Sequence, residues 1–246
     1  MLFQPTRQRS YLLATRHPWP CLLFLLPLLL AYEGGIVWLG GANPDAHRNG
    51  ADAWLRWALE SLGLPPLYWP PAVIATVFVL WSLLRFADRP EDLLGVVSGM
   101  GIESVIFALG LWGISQGLVP LLSRLGVTLA VPARPQEALG QVITYVGAGI
   151  YEEVIFRLVL FSTLQRLLLL VQAPWPLAVG VGALASAACF SAAHHVGPYG
   201  EAFDGTVFLF RLLAGLYFAL LYQFRGFGVA VGAHACYDIL VGVAIG

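Results

Sequence analysis

The chain has 246 residues, of which 59% are hydrophobic and only 11% charged, where an ordinary soluble domain carries about 25% charged residues. With a mean hydropathy of +0.77 it cannot supply a charged surface over its own core, so water is excluded as its main solvent and the bilayer must cover it. A formal net charge of −1 and 13 basic residues, all arginine and scattered along the chain, exclude a nucleic-acid-binding stripe.

A transmembrane helix needs about 20 apolar residues, because each adds about 1.5 Å across a hydrocarbon core of about 30 Å. Seven such runs are predicted, over 18–40, 69–87, 93–121, 138–164, 175–195, 206–223 and 227–245. The fold class is therefore all-α, a polytopic transmembrane helical bundle of about seven to eight spans. The first run follows Arg7, Arg9 and Arg16, and no small-residue cleavage site of the A-x-A kind follows it, so it is read as an uncleaved anchor.

Segment 41–68 is the longest polar interruption. Within it, residues 51–62 place Trp54, Trp57, Ala58 and Ser61 on one side of a short helix, as expected of a helix lying in the membrane interface. The charge cluster over 85–92 marks a turn through water. A cytoplasmic N-terminus puts Arg7, Arg9, Arg16, Arg85, Arg89, Arg166 and Arg225 inside and Arg48, Arg56, Arg124, Arg134 and Arg211 outside, the direction the positive-inside rule favours. Cys21, Cys189 and Cys236 lack CxxC spacing and read as small buried hydrophobes, not as disulfide or thiolate-zinc partners.

Ionisable residues inside apolar spans cost about 2.5–3.5 kcal/mol each on insertion scales, so each calls for a partner. They gather in the C-terminal half. Residues 150–161 hold Glu152, Glu153 and Arg157 in one apolar helix. At about 100° per residue, Arg157 lies one turn beyond Glu153 and neutralises it most easily, leaving Glu152 free for chemistry. Ala148 and Gly149 are small and share the face of Glu152, which suggests room for a substrate backbone. Residues 190–195 end an apolar helix with His194 and His195, and residues 234–238 put His234 and Asp238 at i, i+4 on the last span. Each group alone reads as a structural pair or an interhelical hydrogen bond.

Together they read differently, because convergence in the bundle interior is the cheapest way to satisfy them all. In such a set Glu152 with His194 can take a proton from water, and His234 with its neighbour can stabilise an oxyanion, which amounts to amide hydrolysis. Two histidines and a carboxylate can also hold zinc. Glu103, inside the third span, is expected to pair with another helix or snorkel. Glu201 and Asp204 are expected to be solvated in a loop over 197–205 that can gate access. Seven straight spans put Glu152 near the midplane, His194 near the outer end of its helix and His234 towards the inner end of the last. Their meeting therefore requires a shifted boundary or a broken helix, for example near Gly147 and Gly149.

In order along the chain, EExxxR (Glu152 to Arg157), FxxxH (Phe190 to His194) and HxxxD (His234 to Asp238) resemble the CPBP family of CAAX proteases and bacteriocin-processing enzymes. The resemblance covers roughly 138–246 and implies a catalytic transmembrane core there, with residues 1–137 as scaffold helices in one integrated membrane domain. It further implies an intramembrane endopeptidase of the glutamate type, acting on a membrane-bound protein or peptide near its C-terminus. By the same resemblance Glu152 and His194 activate water, His234 and Asp238 serve the oxyanion, Glu153 and Arg157 support them, and no metal or other cofactor is required. Asp238 departs from the asparagine of the prenyl endopeptidases; an ionised aspartate repels an oxyanion, so it is read as orienting His234 by accepting its ring proton. The alternatives are a zinc-dependent membrane protease with the same residues and a non-catalytic membrane scaffold or immunity protein. The expected setting is a multi-pass protein of the bacterial inner membrane, with lipid and a peptide substrate as partners, no nucleic acid, and the oligomeric state left open.

Overall fold

The structure is a computed structural model and describes residues 7–41, 43–63, 69–124, 138–197 and 200–244. Arg134, counted above for orientation, lies outside these residues. The described residues form helices α1 (Arg7–Ala14), α2 (Pro18–Gly40), α3 (Gly50–Ser61), α4 (Trp69–Leu84), α5 (Leu93–Arg124), α6 (Ala138–Glu153), α7 (Ser162–Leu170), α8 (Trp175–Ala193), α9 (Gly205–Arg225) and α10 (Phe227–Ile239). No strand occurs among them, and the bundle is all-α as predicted. Four helices are long and apolar enough to cross a membrane, over Pro18–Gly40, Leu93–Gly117, Trp175–Ala193 and Gly205–Arg225, and α4 and α10 are shorter apolar helices.

The outer surface is apolar in the manner of a lipid-facing belt: Leu30, Trp38, Leu80, Leu83, Ile102, Ile106, Val159 and Leu184 are all exposed. Inside, α10 is the central element. It packs against α5, α6 and α9, and almost every residue over Phe227–Tyr237 is buried. Small residues permit this: a Cβ on Gly149 of α6 would come within 2.8 Å of Ala235 Cβ and 2.9 Å of the Ala235 nitrogen and Val231 oxygen. The room beside Glu152 is thus filled by α10, and Ala148 is buried with it. Gly147 likewise makes room for the Tyr32 ring. Neither glycine breaks α6, so the break suggested near them is absent.

The departure from straight spans comes one turn later. Between α6 and α7 the chain continues without interruption as a π-helical segment over Val154–Phe161, in which the Ser162 N–H reaches back to Arg157 O. Widened turns leave carbonyls poorly satisfied, and hydroxyls answer this: Ser186 Oγ donates to Phe156 O at 2.6 Å and Ser162 Oγ to Arg157 O at 3.2 Å. The helix also runs on to Leu170, beyond the predicted end at 164.

That longer run resolves the mismatch of depths. Counted from the 171–174 turn, Glu152 lies 18 residues before Leu170 and His194 19 residues after Trp175, so the two stand at a similar height. The α9–α10 turn lies short of the end of α7, where Gln165 Nε2 donates to Gln223 Oε1 at 3.2 Å and Ser162 and Tyr222 share a hydrogen bond at 2.7 Å. Starting from there, the first two turns of α10 raise His234 to Glu153.

The short helix predicted over 51–62 is α3, and the expected face is the outward one, with Ala58 and Ser61 exposed. Trp57 is exposed, whereas Asp52 and Arg56 are buried against the bundle. Asn49 caps its start, accepting from the Asp52 N–H at 2.7 Å. Of the cysteines, Cys21 is buried as expected, but Cys189 is exposed on the outer surface and Cys236 is intermediate; all three are free thiols.

Candidate active site

Glu153 ends α6, Arg157 follows in the π segment, and His234 sits in the middle of α10. Glu153 Oε1 accepts from His234 Nδ1 at 2.8 Å and lies 3.1 Å from Arg157 Nη1, with Glu153 and Arg157 wholly buried. A second arginine nitrogen, Nη2, donates to Gly215 O of α9 at 3.1 Å. The guanidinium is also 4.5 Å above the Phe190 ring, so an aromatic face shares its charge. The i, i+4 pairing of Glu153 with Arg157 is the one expected from the sequence.

Phe218 stacks flat on the His234 imidazole at 4.4 Å and 12°, fixing its plane. The other ring nitrogen, Nε2, faces two carboxylates, Asp238 Oδ2 at 3.5 Å and Glu152 Oε2 at 3.7 Å. Both nitrogens therefore point at acceptors, the setting of a ring that donates from each side. The tight orienting contact belongs to Glu153, and Asp238 shares Nε2 with Glu152 instead of holding Nδ1.

Glu152 and Asp238 are the open members: their side chains keep 14% and 25% of their exposure. No hydrogen bond among the described residues ends on Glu152, while Glu153 Oε2 and Arg157 Nε are buried without a hydrogen-bond partner. His194 caps the C-terminal end of α8, and its Nδ1 lies 2.9 Å from Phe190 O. A carbonyl can only accept, so Nδ1 carries the proton and Nε2 of the neutral ring is left as a base. Its ring packs edge-on to Phe190 at 4.9 Å, and it lies within electrostatic range of Glu152, His234 and Arg211. The structure thus brings Glu152, Glu153, Arg157, His194, His234 and Asp238 into one region. Among the described residues no three His, Cys, Asp or Glu side chains are grouped as a metal ion would need.

In the neighbouring loop Asp204 is exposed as expected, and Glu201 is half-buried. Glu201 pairs with Arg211 at 2.9 Å, and its N–H donates to His194 O at 2.9 Å. Asp204 caps α9, accepting from the Val207 and Thr206 N–H groups, which hold its carboxyl below the usual range. His195 faces this loop, with Nδ1 at 3.3 Å from Glu201 O. Glu103 lies off the site in a bidentate pair with Arg225 at 2.6 and 2.7 Å, an interhelical partnership of the kind expected.

A second buried cluster adjoins the first. Asp52 accepts from Arg56 Nε at 2.7 Å, Arg48 Nη1 at 2.8 Å and Tyr32 Oη at 2.9 Å, and Tyr151 Oη donates to Glu33 at 2.5 Å. Tyr151 precedes Glu152, so this cluster grips the helix that carries the free carboxylate. The sequence reading missed it. Glu33 inside the first apolar run and the i, i+4 series Arg48, Asp52, Arg56 were the available signals.

Residues 134–240 match the family model described as Type II CAAX prenyl endopeptidase Rce1-like. Over that stretch the chain is similar to the Rce1-like family. The matched stretch contains all six site residues and the whole π segment, and the N-terminal cluster, apart from Tyr151, falls outside it. The Rce1-like match over 134–240, a protease-family stretch, together with the apolar helices supports an integral membrane protein. No curated protein and no solved structure matches it.

Proposed function

We propose that this Rce1-like protein is an intramembrane endopeptidase of the glutamate type, hydrolysing a peptide bond near the C-terminus of a membrane-bound protein or peptide. The observation that carries the reading is the unengaged Glu152 carboxylate beside His234 Nε2, partly open at a site otherwise closed by helices. A water between Glu152 and His194 loses its proton to this pair as it attacks the carbonyl carbon. The developing oxyanion is met by the Nε2–H of His234, whose ring is held by Glu153 at Nδ1 and by Phe218 across its face. The proton then passes to the leaving amine, which departs as the C–N bond breaks. Asp238, 3.5 Å from Nε2, competes for that donor with the oxyanion and sets how readily the ring releases it.

No metal takes part in this scheme, so purified protein treated with chelator is expected to keep full activity. The decisive experiment compares membrane-protein termini in cells carrying wild type, Glu152→Ala or His194→Ala. The same precursors accumulate in both variants if the reading holds. Unchanged termini in both variants, with protein levels equal to wild type, would overturn it.

A further inference from the structure

At the end of the bundle opposite the site, the ends of α4 and α9 and the first half of α7 meet the starts of α2 and α10 around a cavity of about 240 Å³. Two arginines, Arg16 and Arg166, stand at it with exposed side chains, and neither forms an ion pair or side-chain hydrogen bond among the described residues. No Asp or Glu lines it. Every other arginine whose side chain is described is paired or packed: Arg48 and Arg56 with Asp52, Arg85 with Asp88, Arg157 with Glu153, Arg211 with Glu201, Arg225 with Glu103, and Arg89 over the Phe86 ring. Two unneutralised guanidinium groups at one cavity are therefore exceptional among the described arginines.

The rest of the lining suits an anion. α10 begins at the cavity with Gly226, at φ 97°, as its N-cap and no side chain capping its first turn, so the positive end of its dipole points that way. Gln165 and Gln223 bind each other through one nitrogen and one oxygen, leaving the Gln223 amide N–H groups available. The Ser162–Tyr222 hydroxyl pair lies alongside, and Arg16 and Arg166 both act electrostatically on Tyr222. Trp81, partly exposed, lines the cavity one turn before the charged 85–92 loop, the depth at which tryptophan meets headgroups.

We infer that this cavity is a binding site for a phosphate group, clasped by Arg16 and Arg166 between the helix ends. An anionic glycerophospholipid and free inorganic phosphate carry the same recognisable chemistry; basic pockets between membrane helices take lipid headgroups in this manner. The site is separate from the hydrolytic one and does not depend on the reading of it.

The test uses full-length protein in neutral detergent, with binding of phosphatidylglycerol and phosphatidylcholine followed by native mass spectrometry. Wild type is expected to retain phosphatidylglycerol in preference to phosphatidylcholine. Arg16→Gln/Arg166→Gln is expected to weaken that retention by at least about tenfold, and Arg166→Gln alone by about fivefold. Arg89→Gln, outside the cavity, leaves it unchanged. Inorganic phosphate supplies the second arm: competition by millimolar phosphate in wild type, lost in the double variant, supports the site with a soluble ligand. No competition alongside arginine-dependent lipid retention supports it with the lipid as ligand. Equal retention by wild type and the double variant, or an equal loss in Arg89→Gln, overturns the proposal.

Discussion

The clusters around Asp52 and His234 lie side by side, linked by the adjacent residues Tyr151 and Glu152, and each sets acids against cations in an apolar bundle. They differ in how completely the charges are used. In the Asp52 cluster both Asp52 oxygens accept from arginine, Tyr32 adds a third donor, and the two Glu33 oxygens take Tyr151 and Arg48. In the His234 cluster Glu152 has no hydrogen bond, Glu153 Oε2 and Arg157 Nε are unsatisfied, and Nε2 of the imidazole faces two acids at 3.5 and 3.7 Å. A saturated network holds helices together, whereas an unsaturated one keeps the capacity to bind something transient. Burial alone does not separate the two; the count of unmet hydrogen bonds does.

The sharpest way to break this comparison is to remove one carboxylate charge from each cluster. Glu152→Gln is expected to lower turnover by about 10²–10⁴-fold with little change in resistance to unfolding. Asp52→Asn is expected to do the reverse, costing about 3–5 kcal/mol by stranding buried arginine charge while the folded fraction still turns over. Both are read from precursor cleavage and from denaturant titration of the same membrane preparations. Glu153→Gln bridges the two behaviours: loss of the Nδ1 partner lets the His234 ring turn, and turnover falls by about 10²-fold, with destabilisation as well because Arg157 loses its counter-ion.

Smaller effects test the packing that presents the site. Gly149→Ala forces a methyl group against Ala235 and its backbone, which cannot yield as a flexible side chain would, and is expected to cost about 1–3 kcal/mol. The smallest effect belongs to the exposed loop, where the Arg85 guanidinium beside Asp88 lowers its carboxyl to about 2. A depressed acid contributes stability above its unfolded value of about 3.9 and loses it as pH falls through about 2. Asp88→Asn therefore removes that small contribution at neutral pH and leaves unfolding below about pH 2 unchanged, as seen by titrating unfolding against pH.

Much of this was legible in the chain. Hydropathy placed most long helices within a few residues, because the length of an apolar run is set by membrane thickness, and i, i+4 spacing gave the Glu153–Arg157 pair. The π segment was not legible, since nothing in Val154–Phe161 distinguishes a widened turn from an ordinary one; its supports, Ser186 and Ser162, act through packing. The depth mismatch arose from ending one helix at 164 when it continues to Leu170. The inward-facing charges of α3 were hidden for another reason. Its tryptophans suggested an interfacial face, and only the neighbouring Glu33, Tyr32 and Tyr151 show why Asp52 and Arg56 turn inward.

The most direct measurement is the set of processed membrane-protein termini in cells expressing Glu152→Gln or Asp52→Asn at matched membrane abundance. Termini left uncleaved in Glu152→Gln and cleaved in Asp52→Asn are the predicted result. Cleavage that persists in Glu152→Gln, or fails equally in both variants at equal folded amounts, would contradict the assignment of the free carboxylate to chemistry and of its saturated neighbour to structure.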